Sequence, residues 1–157
     1  MNMSNTVKFS EKDLENLDNL ESNDTEYVEV PYGIYEVKLA GATYRESKKG
    51  TPMATLRFKV IAGEFEGQSI FYNQIVDAVW KFKLVARLLN SLKTDVDLSS
   101  KNYVVDGTVD FDAYKDMLEA VYEDIKEKKF EYALNYNENE KGYPVYEIQE
   151  VFESQSE

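Results

Sequence analysis

The stretch from Pro31 to Gln74, PYGIYEVKLAGATYRESKKGTPMATLRFKVIAGEFEGQSIFYNQ, decides how this chain folds. Tyr35, Val37 and Leu39 alternate with Ile34, Glu36 and Lys38, the period of two expected of a half-buried strand. PMATLRFKV repeats the pattern more cleanly, with Leu56, Phe58 and Val60 on one face and Thr55, Arg57 and Lys59 on the other. Between them RESKKGT is a polar hairpin loop in which Gly50 can supply a positive φ. GEFEG, from Gly63 to Gly67, leads into a third strand, QSIFYNQIV, so the expectation is three antiparallel strands in meander order.

Beyond Asp77 the period changes. In DAVWKFKLVARLLNSL, Trp80, Leu84, Val85, Leu88, Leu89 and Leu92 recur at helical spacing, with Lys83, Arg87 and Asn90 opposite and Asp77 as the expected N-cap. Trp80, sharing a stripe with Leu84 and Leu88, is expected to anchor the core. An Asp106-Gly107 turn, with a short hairpin over Tyr103 to Val109, precedes a second helix. Tyr114, Met117, Leu118, Val121, Tyr122 and Ile125 fall on its apolar stripe. KFEYALNY, the turn NENEKG and YPVYEIQEVF then read as a closing pair of strands. The predicted order is β-β-β-α-α-β-β, mainly β with a helical insertion, in a domain over 29–153 with helices near 78–92 and 111–128. Five strands with that insertion fit a partly open OB-like barrel better than a sandwich. Residues 1–28 read as an acidic, flexible tail, with Leu14, Leu17 and Leu20 at near-helical spacing, and 154–157 as a short polar end.

The charge is unevenly spread. The 157 residues carry a net −12, yet Pro31 to Lys93 holds ten Lys or Arg against five carboxylates, a local +5. Met1 to Val30 is −6 and Thr94 to Glu157 is −11. Binding responds to the local field, so a polyanion partner for the middle third is compatible with an acidic whole. The chain contains no Cys and no His, which excludes thiolate chemistry and leaves any catalysis to carboxylates, Lys and Tyr. The carboxylate pairs Asp110/Asp112 and Glu138/Glu140 are more simply a helix cap and a turn, so no enzyme activity, metal or cofactor is expected. No apolar run approaches the roughly 20 residues that span a bilayer, and MNMSNTVKFSEKD lacks a signal-peptide pattern. The expected setting is the cytoplasm of a bacterial host.

The pattern Pro31-x-Gly33-x-Tyr35-x-Val37, then Glu46-Ser47-Lys48 with Gly50, Pro52-Met53, Phe58-Lys59-Val60, Gly63, Gly67, Ile70-Phe71 and Asn73 resembles a family of phage-encoded proteins. Trp80 with the Leu84 to Leu92 helix and the closing Tyr146-Glu147-Ile148-x-x-Val151-Phe152 also fit, so the likeness runs from about Glu29 to Phe152. Proteins of that family sit in replication and recombination modules, are often described only as a domain of unknown function, and are regarded as OB-fold single-stranded-DNA-binding proteins. The resemblance implies single-stranded DNA, or RNA, as ligand, and phage or host replication and recombination proteins as partners, with self-association left open. One departure is the helix from Phe111 to Lys128, longer and more acidic than the family pattern.

The residues themselves offer two kinds of contact. Arg45, Lys48 and Lys49 around the first loop, with Arg57 and Lys59 on the outward face of the second strand, would neutralise phosphates on one connected surface. Phe71 or Tyr72 must face outward, because neighbouring strand residues alternate, and Tyr44 at the mouth of the first loop is a further platform on which a base could stack. Asp116, Glu119, Glu123 and Glu127 are spaced to form an acidic ridge opposite the apolar stripe of the second helix, which reads as a protein-docking surface outside the nucleic-acid site. The rival reading, from the net −12, is an acidic protein-interaction module or DNA mimic that inhibits a host nuclease or defence protein.

Overall fold

A computed structural model describes residues 29–153. The acidic tail expected over 1–28, with its leucine spacing, and the short end at 154–157 lie outside the described residues. Three strands form the expected meander: β1 (Gly33–Glu46), β2 (Pro52–Val60) and β3 (Ser69–Ile75). Helix α1 (Val79–Ser91) follows. A 3-10 turn at Ser100–Asn102 leads to the small hairpin β4 (Val104–Val105) and β5 (Thr108–Val109), and then to helix α2 (Phe111–Lys128). The chain closes with β6 (Phe130–Glu138) and β7 (Pro144–Glu153). The protein is mainly β, with a five-stranded antiparallel sheet in the order β3-β2-β1-β6-β7.

The backbone ladder stops at β3 on one side and β7 on the other, so hydrogen bonding does not close the sheet into a barrel. The two edges nevertheless meet through a side chain. The Tyr146 hydroxyl on β7 donates to the Phe71 carbonyl on β3 at 2.8 Å, and the Tyr146 ring meets Tyr72 edge-on at 5.0 Å. β1 is the strand that bends the sheet. Its first residues, Gly33 to Val37, pair with β6, while Val37 to Glu46 pair with β2, with a bulge between Leu39 and Gly41. Past Val37 the flank that β6 leaves is packed against α2, where Tyr44 stacks on Phe111 at 4.8 Å.

Inward residues of both hairpins and the apolar stripe of α2 form one core. Leu56, Phe58 and Val60 are fully buried, as their alternation predicts, beside Val37, Tyr132, Leu134, Leu118 and Val121. Burying each such side chain contributes about 1.5–3 kcal/mol. The Tyr132 hydroxyl, buried among them, donates to the Leu92 carbonyl at 2.8 Å and so satisfies an orphan acceptor at the end of α1. The Asp106-Gly107 turn forms as expected, with φ of 52° and 77°, the two positive values that a tight two-residue hairpin requires. Asp110 caps α2, its Oδ1 accepting from the Asp112 and Ala113 amides at 3.1 and 3.2 Å.

Two expectations for α1 are corrected. Trp80 is 60% exposed and does not anchor the core; Val85, Leu88 and Leu89 are the buried residues of the helix. At 3.6 residues per turn Trp80 lies about 140° around the axis from Val85, and the Lys81 ammonium sits 5.4 Å from its ring centroid. Phe82 takes the inward place, stacked on Tyr103 at 5.7 Å and edge-on to Tyr114 at 5.1 Å. Nor does Asp77 cap the helix. The N-cap is Ala78, without a side-chain bond, and Asp77 pairs with Lys81 at 2.8 Å instead. That bond holds the Asp77 carboxyl below its usual range.

Candidate nucleic-acid interface

The outward face of β1, β2 and β3 is built row by row from the strand register. Lys38 faces Lys59, which faces Ser69; Gly41 faces Arg57, which faces Phe71; Thr43 faces Thr55, which faces Asn73; Arg45 faces Met53. Lys38 and Lys59 are like charges directly opposite, an arrangement that costs stability unless something anionic lies over it. No ion pair among the described residues engages Lys38, Arg45, Lys48, Lys49, Arg57 or Lys59. The Arg57 guanidinium is steadied by a 3.1 Å bond from its Nε to the Ser69 hydroxyl. At about 3.3 Å per residue, the strip from Lys38 to Arg45 is roughly 20 Å long.

At its far end lies the first loop. Ser47 organises it: its carbonyl accepts from the Gly50 amide at 2.8 Å, and its hydroxyl accepts from the Lys49 and Thr51 amides at 3.3 and 3.1 Å. Gly50 has φ of 82°, the left-handed backbone expected from the sequence. Lys48 and Lys49 are exposed at the tip of this hydrogen-bonded turn.

The aromatic expectation resolves into one outward ring. Phe71 is 43% exposed beside Arg57, whereas Tyr72 is 8% exposed and faces the core. Tyr72 is therefore removed from the candidate contact residues: burial pushes its hydroxyl up to about 12, and its ring is held against Tyr146. Tyr44 is corrected as well. It lies on the inward side of β1, and one ring face is covered by Phe111 at an interplanar angle of 15°, so that face is closed to a base.

Helix α2 turns the flat face into a groove. Two adjoining hollows, about 490 and 430 Å³, share Ala40, Arg57 and Tyr122 as lining. The larger is cationic, walled by Lys38, Arg57 and Lys59 from the sheet and Lys126 and Lys129 from the helix end, with Glu131 opposed. The smaller holds Phe71, Thr43 and Thr55 from the sheet and Glu119 and Glu123 from the helix. Glu119 is half-buried and accepts from the Thr43 hydroxyl at 2.8 Å, while Asp116, Glu123 and Glu127 are exposed. The four carboxylates thus do not form a ridge apart from the face, because Glu119 and Glu123 stand on the wall of the same groove. Tyr122, expected within the buried stripe, lines it too, with the Lys126 ammonium 5.8 Å from its ring.

Sequence reasoning missed Lys38, Tyr122, Lys126 and Lys129. Lys38 could have been found, since it alternates with inward Val37 and Leu39. The other three come to the groove only through packing of α2 on β1, for which no local signal exists. Elsewhere, Asp110 and Asp112 belong to the α2 cap, and Glu138 and Glu140 to the end of β6 and its turn. Among the described residues no three His, Cys, Asp or Glu side chains are placed to hold a metal ion, and no helix is long and apolar enough to cross a membrane.

No curated protein matches the sequence. Residues 16–144, most of the chain and all of the groove, match the family described as "Protein of unknown function (DUF669)". The chain belongs to that family.

Proposed function

We propose that this protein is a non-catalytic single-stranded-DNA-binding protein, acting in phage replication or recombination, that holds its ligand along the outward face of β1, β2 and β3. The observation that carries the reading is the Lys38–Lys59 and Arg57–Phe71 pair of rows: three cations without carboxylate partners among the described residues, with an exposed ring in register beside them. Phosphates would lie against Lys38, Arg57 and Lys59 and continue toward Arg45, Lys48 and Lys49, while a base stacks on Phe71. Stacking on a π-face tolerates any base, which suits a protein that coats strands without reading them.

The strand arrangement supports an OB-like barrel as the framework. β1 serves two neighbours, helices intervene between the third strand and the last two, and the Tyr146–Phe71 bond brings the open edges within a side chain's reach. A five-stranded, partly open barrel that binds on its strand 2 and 3 face with flanking loops is the OB pattern. RNA is an alternative strand, and replication or recombination proteins of phage or host are the partners this reading implies, in the cytoplasm of a bacterial cell.

The test is fluorescence polarisation with labelled oligo-dT at low and moderate salt. Binding that weakens along a log–log salt slope of about −0.7 per neutralised phosphate supports the reading. A folded protein that shows no affinity for single strands at low salt would overturn it and favour the acidic DNA-mimic alternative.

A further inference from the structure

The groove between the sheet and α2 changes polarity along its length. Five cations and one carboxylate, Glu131, wall the larger hollow, whereas the smaller has one cation, Arg57, and two carboxylates, Glu119 and Glu123. Ala40, Arg57 and Tyr122 border both, so the two are continuous. A phosphate is drawn to the first hollow and repelled from the second. What enters the second is therefore the uncharged part of a nucleotide, and the exposed Phe71 ring on its sheet side supplies a face for a base. At about 430 Å³ this hollow lies within the range of roughly 300–1,000 Å³ typical of small-molecule sites.

The polar groups around such a base are unevenly committed. The Thr43 hydroxyl donates to Glu119 Oε2 at 2.8 Å, the Thr55 hydroxyl donates to Asn73 Oδ1 at 2.8 Å, and the Arg57 Nε donates to Ser69. Glu123 lines the same hollow as Arg57, yet among the described residues its carboxylate accepts no hydrogen bond and forms no ion pair, with Arg57 or any other cation. Glu119 and Glu123 are like charges one helical turn apart, a pairing that costs stability unless a donor lies beside it. Opposite charges held apart across one hollow leave room for a group that turns an acceptor to the guanidinium and donors to the carboxylate, which when ionised can only accept. Guanine alone among the bases has two adjacent donors on its pairing edge, N1–H and the 2-amino group, and they stand beside the O6 acceptor. Thymine has a single N3–H between two carbonyls. We propose that the smaller hollow prefers guanine, with Glu123 accepting from N1–H and the 2-amino group in the bidentate manner of a carboxylate and Arg57 donating to O6. This preference rests on the single-strand reading above. It grades the strands that the Phe71 ring accepts in general, and oligo-dT, which lacks the paired donors, does not report it.

The test uses the full chain and three labelled strands of one length: oligo-dT, the same strand with guanine at a few isolated positions, and the same strand with inosine at those positions. Inosine keeps N1–H and O6 and lacks only the 2-amino group, so comparing the two separates the carboxylate contact from the better stacking of any purine. Fluorescence polarisation at low salt should show the guanine strand bound about threefold or more tightly than the inosine strand, and that ratio should fall to about one in Glu123→Gln, whose amide carries a donor where a second acceptor is needed. A thermal melt checks that the variant is folded, as expected for an exposed helical position. Equal affinity for the guanine and inosine strands, or a ratio that survives Glu123→Gln in the folded protein, overturns the proposal. If oligo-dT binds while guanine and inosine do not differ, the preference alone fails; if none of the three strands binds, it is the single-strand function that fails, and the preference with it.

Discussion

Changing Phe71 and Tyr72 to alanine one at a time separates the proposed binding face from the core across a single peptide bond. Phe71 presents a ring that is 43% exposed, and the hydrogen bond it receives from Tyr146 across the seam uses its backbone carbonyl, which survives Phe71→Ala. Stability should change by about 1 kcal/mol or less, as for a substitution outside the core. Base stacking is worth about 1–3 kcal/mol per aromatic, and with 1.4 kcal/mol per tenfold the dissociation constant for oligo-dT should rise roughly 5- to 150-fold. Tyr72→Ala removes a ring that is 8% exposed and packed edge-on to Tyr146. Truncating a buried aromatic costs about 3–5 kcal/mol. In a domain of this size that lowers Tm by on the order of 10–20 °C. Fluorescence polarisation and a thermal melt on the same samples read the two effects. A folded Phe71→Ala protein with unchanged affinity, or a Tyr72→Ala protein that loses affinity while keeping its Tm, would refute the assignment of faces.

Three further outcomes follow from named groups. Lys48→Glu with Lys49→Glu, at the exposed tip of a turn organised by Ser47, should leave the fold intact, weaken oligonucleotide binding and reduce the log–log salt slope by about 0.7 for each phosphate no longer neutralised; an unchanged slope and affinity would take the loop out of the site. Replacing Asp116, Glu119, Glu123 and Glu127 together with Asn or Gln should hold or raise oligo-dT affinity, because Glu119 and Glu123 stand on the groove wall, while weakening any protein or self contact made by the helix; a marked loss of affinity in a folded, monodisperse variant would show that the carboxylates contact that ligand. Burial pushes the Tyr72 hydroxyl up to about 12 and raises Tyr114, Tyr132 and Tyr146 further, against about 10 in the unfolded chain. Below pH 10 both states are protonated and this stability is complete; above it the unfolded chain loses protons first, so urea midpoints should fall between pH 10 and 12, and a flat profile there would contradict the packing of these hydroxyls.

Much of the architecture was legible because it is periodic. The alternation of Leu56, Phe58 and Val60, the helical stripe from Tyr114 to Ile125 and the Asp-Gly turn are local patterns, and each forms where its residues place it. Legibility failed where one local rule competed with another. Trp80 fits a stripe with Leu84 and Leu88, but the buried face of the helix is centred on Val85, Leu88 and Leu89, and Trp80 in the first turn falls outside it. Asp77 has the chemistry of a cap, yet Lys81 one turn on offers it an ion pair at 2.8 Å. Tyr44 looked free because its cover, Phe111, is 67 residues away in sequence. The same cause hid the groove, whose helical wall is set by contacts between β1 and α2.

The bulge in β1 connects these observations. Lys38 has even parity along the strand and Arg45 odd, so an unbroken pleat would place them on opposite faces. The register passes from Leu39 opposite Phe58 directly to Gly41 opposite Arg57, leaving Ala40 without a partner. That single extra residue exchanges the parities. Val37 and Leu39 before it and Ala42 after it all point into the core, while Lys38 before it and Gly41, Thr43 and Arg45 after it all point outward. Without the bulge a one-residue slip would send Arg45 and Thr43 inward and Ala42 and Tyr44 outward, at the cost of an unpaired buried cation. The bulge also bends β1 where it leaves β6, opening the flank on which α2 packs, and Ala40 itself lines both hollows between sheet and helix. At Gly41, beside it, an added Cβ would meet nothing within 4 Å, so the floor of the groove is open just where Arg57 crosses it. One unpaired residue therefore gathers the cations of two strands onto a single face and makes room for the helix that walls them in.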